Sequence, residues 1–241
     1  MAPKKVIQHV PKKKEIQLIS KLYREIGYYL GLKLAKTSLT AIQLAIIGIV
    51  VGIISAVQFY FGEYHNLIIA AICLQLNVII DFMDGPLALA KGIASDFGAW
   101  LDNNGGLLVD FLIVFAICLG LYQKGFVNVW FWGFLVVSSK YMIKTLYLIT
   151  SQFRAFSGVN TNNPINRLKK LAAASWWKGE LVYSRFMPFT PALTIGALTN
   201  SMYLTLQLLG MYSVAYYVSV WLYLCYKMAR YHYTQNDIRT L

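Results

Sequence analysis

Five of the ten acidic residues of this chain, Asp81, Asp84, Asp96, Asp102 and Asp110, fall within a single stretch of thirty positions. Asp81 and Asp84 are three apart, which places both carboxylates on one face of a helix. Side by side they repel each other unless they are protonated or bridged by a cation. A divalent metal with hard oxygen ligands resolves that conflict. The surrounding sequence is apolar, and carboxylates are costly in such surroundings, so their convergence points to a functional site rather than to helix packing alone. Asp96, next to Ser95, reads instead as the N-cap of the helix that follows.

The elements that must carry these carboxylates are membrane spans. The 241 residues are 58% hydrophobic and 13% charged, against about 25% charged in ordinary soluble domains. Leu39 to Phe61 is free of charge and long enough for one span, with Gly48 and Gly52 as a small-residue pair for close helix contact. A second span runs from near Asn66 to about Ala90 and carries Asp81 and Asp84, and a third from about Phe97 to Tyr122 carries Asp102 and Asp110. A fourth, from about Phe126 to Thr150, holds Lys140 and Lys144 toward its end. Phe186 to Tyr226 contains no charged residue, enough for two spans turning at Thr199-Asn200-Ser201. At about 1.5 Å per residue, Asp84 lies about 9 Å and Asp81 about 13 Å from the end of the second span, and Asp102 about 8 Å from the start of the third. Adjacent antiparallel helices thus bring three carboxylates to a similar depth.

Charge placement sets the orientation. The net charge of +12 could suggest nucleic acid, but the 22 Lys and Arg fall mostly between the apolar spans. With both termini in the cytoplasm, nineteen of them lie on the cytoplasmic side and only Lys124 on the other, while Lys140 and Lys144 stay within the fourth span. Residues 1–37 form a basic cytoplasmic segment in which Ile16, Ile19, Tyr23, Ile26 and Leu30 recur at helical spacing. That segment predicts an amphipathic helix on an anionic membrane surface, without the apolar core of a cleaved leader. Residues 38–230 then form a six-helix transmembrane domain and 231–241 a cytoplasmic tail. Cys73, Cys118 and Cys225 are dispersed in apolar segments and imply no disulfide or zinc site. Arg154, Arg167 and Arg185 read as topology determinants.

The run Asp81-Phe-Met-Asp84-Gly85-Pro-Leu-Ala88, followed by Gly98-Ala-Trp-Leu-Asp102, resembles the signature of the CDP-alcohol phosphatidyltransferase family, Asp-x2-Asp-Gly-x2-Ala-Arg-x8-Gly-x3-Asp-x3-Asp. Six of the eight fixed positions match; the motif Arg is Leu89 and the fourth Asp is Gly106. The resemblance implies an all-α integral membrane enzyme with its active site on the cytoplasmic side. It would transfer a phosphatidyl-type group from a CDP-linked lipid to a small polar alcohol and release CMP. It also implies two Mg2+ or Mn2+ ions held by Asp81, Asp84 and Asp102, with Gly85, Ala88 and Gly98 allowing close approach of the cytidine nucleotide. The family's fourth Asp acts as metal ligand and catalytic base, so Asp102 and the substitute Asp110 are the candidate catalytic groups. Lys91, Lys140 and Lys144 are candidate contacts for phosphate or an anionic acceptor. Homodimerisation is a further expectation, and nucleic acid is not an expected partner.

Leu89 and Gly106 keep a second reading open, a catalytically impaired homologue that binds CDP-lipid or scaffolds another membrane enzyme. A prenyltransferase would need a second Asp-rich motif, and an ion-coupled transporter intramembrane charge in both halves. The uncharged stretch 186–226 counts against both.

Overall fold

The structure, a computed structural model, describes residues 18–150 and 188–239. All regular elements among the described residues are helical: α1 (Leu18–Leu34), α2 (Ala41–Phe61), α3 (Tyr64–Lys91), α4 (Asp96–Gln123), α5 (Val129–Thr150), α6 (Phe189–Leu198) and α7 (Met202–Arg239). Among the described residues, four segments are long and apolar enough to cross a membrane: Ala41–Phe61, Tyr64–Lys91, Asp96–Gln123 and Met202–Tyr226. Helix α5 has 22 residues, but Lys140 and Lys144 interrupt its apolar run. Where the sequence suggests a full span ahead of the 199–201 turn, α6 has ten residues, about 15 Å against the roughly 30 Å of a bilayer core. Its start is set by Pro188 at the N-cap. The turn itself is where the sequence puts it, with Asn200 at φ 53°.

The chain divides into two compact units, Met1–Trp130 with Arg185–Thr205, and Phe131–Ser184 with Leu206–Leu241. In the first, α2 is started by a reciprocal cap. Thr40 Oγ1 accepts from the Gln43 N–H at 3.2 Å, and Gln43 Oε1 accepts from the Thr40 N–H at 2.9 Å. Gly62 ends α2 and Gly92 ends α3, both in the left-handed region at φ 62° and 63°, where glycine carries no steric penalty.

Helix α2 packs against both α3 and α4 through small residues. Gly48 meets Ile80 of α3, Gly52 meets Val109 of α4, and a β-carbon at Gly105 of α4 would stand 2.6 Å from Ile49 Cδ1. The predicted small-residue pair therefore serves two neighbours: Gly48 faces α3, and Gly52 faces α4 and, through Asn77, α3.

Helix α1 packs on α3 more closely than its apolar stripe suggests. Tyr23, Ile26 and Leu30 are only half-buried, while Gly27, Gly31 and Ala35 form the buried line. A β-carbon at Gly27 would lie 2.5 Å from Phe82 Cβ, and one at Gly31 2.6 Å from the Met83 carbonyl oxygen. Backbone meets backbone there, which only glycine allows. Pro86 has no N–H to give the Phe82 carbonyl four residues back, and Gly27 packs against that carbonyl. Around this seat, Tyr23 stacks on Phe82 at 6.3 Å between centroids, the Arg24 guanidinium lies 5.2 Å from the same ring, and the Tyr23 hydroxyl donates to Gln75. Residues 1–17, including Ile16, lie outside the described residues.

In the second unit, Ile143 of α5 packs among Tyr216, Tyr217 and Val220 of α7, and Leu224 packs against Leu146 and Val220. Gly210 of α7 lies against Trp132.

Candidate active site

Helix α3 presents Asn77, Asp81 and Asp84 at intervals of four and three residues, hence on one face. Helix α4 runs antiparallel to it and presents Asp102, Gly105, Gly106 and Val109, while α2 contributes Ala45, Gly48 and Ile49. These residues line one small cavity of about 20 Å³, room for a single water-sized particle. Asp84 is buried at 9% exposure, and Asp81 and Asp102 are half-buried. The described residues lining the cavity include three carboxylates and no Lys, Arg or His.

A larger groove of about 430 Å³ adjoins it and shares Asp84 and Asp102 as wall. Its other lining residues include Thr40, Gly85, Ala88, Leu89, Ser95 and Gly98. A β-carbon at Gly85 would meet nothing within 4 Å, so this glycine is not required by packing and leaves the groove open. At Gly98 the nearest atom would be Ser95 Oγ, at 3.3 Å. Leu89, 46% exposed, makes the groove apolar where a cation would otherwise stand.

The lining fits a hard divalent cation by its chemistry: three anionic oxygen donors around an ion-sized space with no basic residue among them. Among the described residues, no three His, Cys, Asp or Glu side chains are gathered as tightly as a metal site requires.

Of the residues singled out in the sequence, Asp81, Asp84, Asp102, Gly85, Ala88 and Gly98 come together around the cavity and groove. Lys91 and Asp110 do not join them. Lys91 lines neither space; its ammonium donates to the carbonyl of Thr37 at 2.7 Å and to that of Leu39, tying α3 to the link before α2. Asp110 is buried at 4% exposure on α4 and is absent from both linings. Lys140 and Lys144 are half-buried on α5, in the second unit. Asp96 is not the N-cap of α4. Ser95 is, its Oγ accepting from the Gly98 N–H at 3.1 Å, and Asp96 occupies the first turn, where its charge suits the helix dipole. Arg154, Arg167 and Arg185 lie outside the described residues. The residue the sequence reading passed over is Asn77, whose spacing of four from Asp81 was its available signal.

A family model described as CDP-alcohol phosphatidyltransferase matches residues 37–222. The chain belongs to the CDP-alcohol phosphatidyltransferase family. Within the family, the chain is 37% identical over 114 residues to archaetidylinositol phosphate synthase of Pyrococcus horikoshii, covering 47% of this chain and 56% of that protein. It is 34% identical over 79 residues to the bifunctional IPC transferase and DIPP synthase of Aquifex aeolicus, covering 33% of this chain and 18% of that one. The chain thus spans about half the length or less of these relatives. Among solved structures, it resembles phosphatidylinositol phosphate synthase of Mycobacterium tuberculosis with CDP-DAG bound, at TM-score 0.55 and 19% identity, over 83% of this chain and 94% of that one. The same enzyme in complex with manganese and citrate gives TM-score 0.52 at 21% identity, over 81% and 88%. At these identities the likeness is one of fold.

Proposed function

We propose that this CDP-alcohol phosphatidyltransferase family member moves a phosphatidyl-type group from a CDP-linked lipid to the hydroxyl of a small polar alcohol and releases CMP. The observation that carries this reading is the sharing of Asp84 and Asp102 between an ion-sized acidic cavity and a groove of about 430 Å³. A cation and the diphosphate of a nucleotide-linked lipid can then sit side by side. Asp81, Asp84 and Asp102 would hold Mg2+ or Mn2+, which supplies charge neutralisation at the diphosphate. Gly85, Ala88 and Gly98 admit the nucleotide against the helix backbones. Inositol phosphate is the first acceptor to try, because the Pyrococcus relative is named an archaetidylinositol phosphate synthase.

Purified protein in detergent is expected to release CMP from CDP-diacylglycerol with one of inositol phosphate, glycerol phosphate or serine, and to stop when EDTA removes divalent ions. Binding of the CDP-lipid without CMP release from any acceptor would favour the second reading, a binding or scaffold homologue, for which Leu89 and Gly106 speak. The absence of both binding and release would end the proposal.

The same reading places six helices in the bilayer, with the ten described residues of α6 reaching only part of the way across it, α1 on the cytoplasmic surface and both termini in the cytoplasm, supported by the nineteen-to-one distribution of basic residues. Tags at either terminus or at Asn163 are expected to be reached from the cytoplasm and one at Lys124 from the opposite side. Cytoplasmic labelling at Lys124 would break that topology.

A further inference from the structure

At the ends of α2, α3 and α4 away from the carboxylates, the first unit holds a second cavity of about 410 Å³, within the roughly 300–1,000 Å³ of small-molecule sites. Leu67 precedes Asp84 by seventeen residues and Ile117 follows Asp102 by fifteen. Helical rise therefore sets this cavity about 25 Å and about 22 Å along the two helices from the acidic one. Its floor is apolar: Phe59, Leu67, Ile117 and Met202 are all buried. Its rim is polar, with Lys124 at the C-cap of α4 and Asn200 and Ser201 in the turn between α6 and α7.

Among the described residues of this lining, Lys124 is the only charged one, so the cavity is cationic. The Lys124 ammonium donates to the Gly62 carbonyl at 2.6 Å, which holds it beside the cavity. Its ion pair with Glu63 is long, at 3.7 Å, and exposed, a combination that contributes little. An ammonium has three donors, and this one can give a further bond to a phosphate oxygen. Asn200 stands at φ 53°, a conformation asparagine tolerates, and brings an amide to the same rim. Phe126 and Tyr203 stack there at 4.6 Å between centroids, an aromatic pair of the kind found where bilayer meets water.

We propose that this cavity binds a membrane phospholipid, with its phosphate on Lys124 and Asn200 and part of a hydrocarbon chain over the apolar floor. A free phosphate has no use for that floor, and an uncharged lipid has none for the ammonium. The surrounding α2, α3 and α4 are long and apolar enough to cross a bilayer, so lipid is at hand. The inference does not rest on the cation site at the other end of these helices.

The test follows the thermal midpoint of the purified, lipid-stripped full-length protein in detergent as phosphatidylglycerol is added to the micelle. Diacylglycerol with the same chains and soluble glycerol phosphate are separate arms. Phosphatidylglycerol is expected to raise the midpoint, and the other two are expected to leave it unchanged. Lys124→Gln keeps a donor for Gly62 and loses the charge; it is expected to need about tenfold more phosphatidylglycerol for the same rise, the scale of one charge-assisted hydrogen bond. Asn200→Gly keeps the left-handed turn and loses the amide, with about a fivefold effect expected. Asp84→Asn, at the distant acidic site, is expected to respond as the parent does. A parental response in folded Lys124→Gln would overturn the inference, and should that variant fail to fold, a parental response in Asn200→Gly would overturn it. An equal rise with diacylglycerol would leave no role for the phosphate, and an equal rise with glycerol phosphate none for the chain; either result overturns the proposal. A response lost in Asp84→Asn and kept in Lys124→Gln would move the lipid to the nucleotide groove. A midpoint that follows protein concentration and ignores lipid would give the cavity to a second copy of the chain instead.

Discussion

Asp84→Asn is expected to weaken Mn2+ binding and CDP-lipid binding together and to lower CMP release on the order of 10³-fold, the scale seen when one preorganised electrostatic group is lost. The size of the effect follows from position. Asp84 is the most buried of the three carboxylates and, with Asp102, belongs to both the ion-sized cavity and the nucleotide-sized groove. Asp81 lines only the cavity, so Asp81→Asn should weaken cation binding more than it weakens CDP-lipid binding in the absence of metal. The fold should not suffer from Asp84→Asn, because an amide of the same shape replaces the most buried of three clustered carboxyl groups. A thermal midpoint at or above the parent's in EDTA would therefore accompany the loss of function. Parental affinity for Mn2+ and CDP-lipid in this variant would remove the site assignment.

Gly106→Asp is expected to raise CMP release by about 10² or more, because a positioned base contributes about 10² to 10⁴ in rate. Gly106 follows Asp102 by one turn, is half-buried and lines the acidic cavity, so a carboxylate there projects toward the same space. Replacing a glycine inside α4 carries no penalty in helix propensity. Asp110→Asn is the matched control. Asp110 lies outside both linings, and its substitution is expected to change CMP release less than tenfold, a bound set against the loss of a working base. A collapse of turnover in Asp110→Asn would make Asp110 the base after all. No gain from Gly106→Asp and no loss from Asp110→Asn, with metal still bound, would argue for a scaffold. Metal binding must be measured in both variants, since an added acid can hold a cation unproductively.

Much of the site is legible in the sequence because membrane helices make depth countable. Asp81 and Asp84 at one face, and Asp102 at matching depth on an antiparallel neighbour, follow from spacing alone. Gly85, Ala88 and Gly98 are legible only through the resemblance, since nothing in a glycine says whether it serves packing or a ligand. The structure has open space at Gly85, a contact with Ser95 at Gly98, and side-chain contact at Gly48, Gly52 and Gly105. Lys91 reads as a phosphate contact until the fold brings the Thr37 and Leu39 carbonyls to its ammonium. Asp96 and Ser95 are both good N-caps, and backbone geometry chooses between them. Helix α1 shows the limit of hydropathy: its apolar stripe is visible, but its closest approach uses Gly27 and Gly31, which add almost nothing to an apolar pattern.

The backbone seat of α1 on α3 has a bearing on how the site opens and closes. Pro86 leaves the turn around Phe82 one internal hydrogen bond short, so the order of the segment holding Asp81 and Asp84 depends on Gly27 and Gly31 pressing against it. The two helices then form one cooperative unit of native-state opening. Amide protons of residues 83–85 are expected to exchange with solvent at the rate set by release of α1, and those earlier in α3, near Leu74 and Val78, more slowly; native-state hydrogen exchange checks this. On that expectation, a bilayer or detergent that loosens α1 loosens the carboxylate turn before it touches the core.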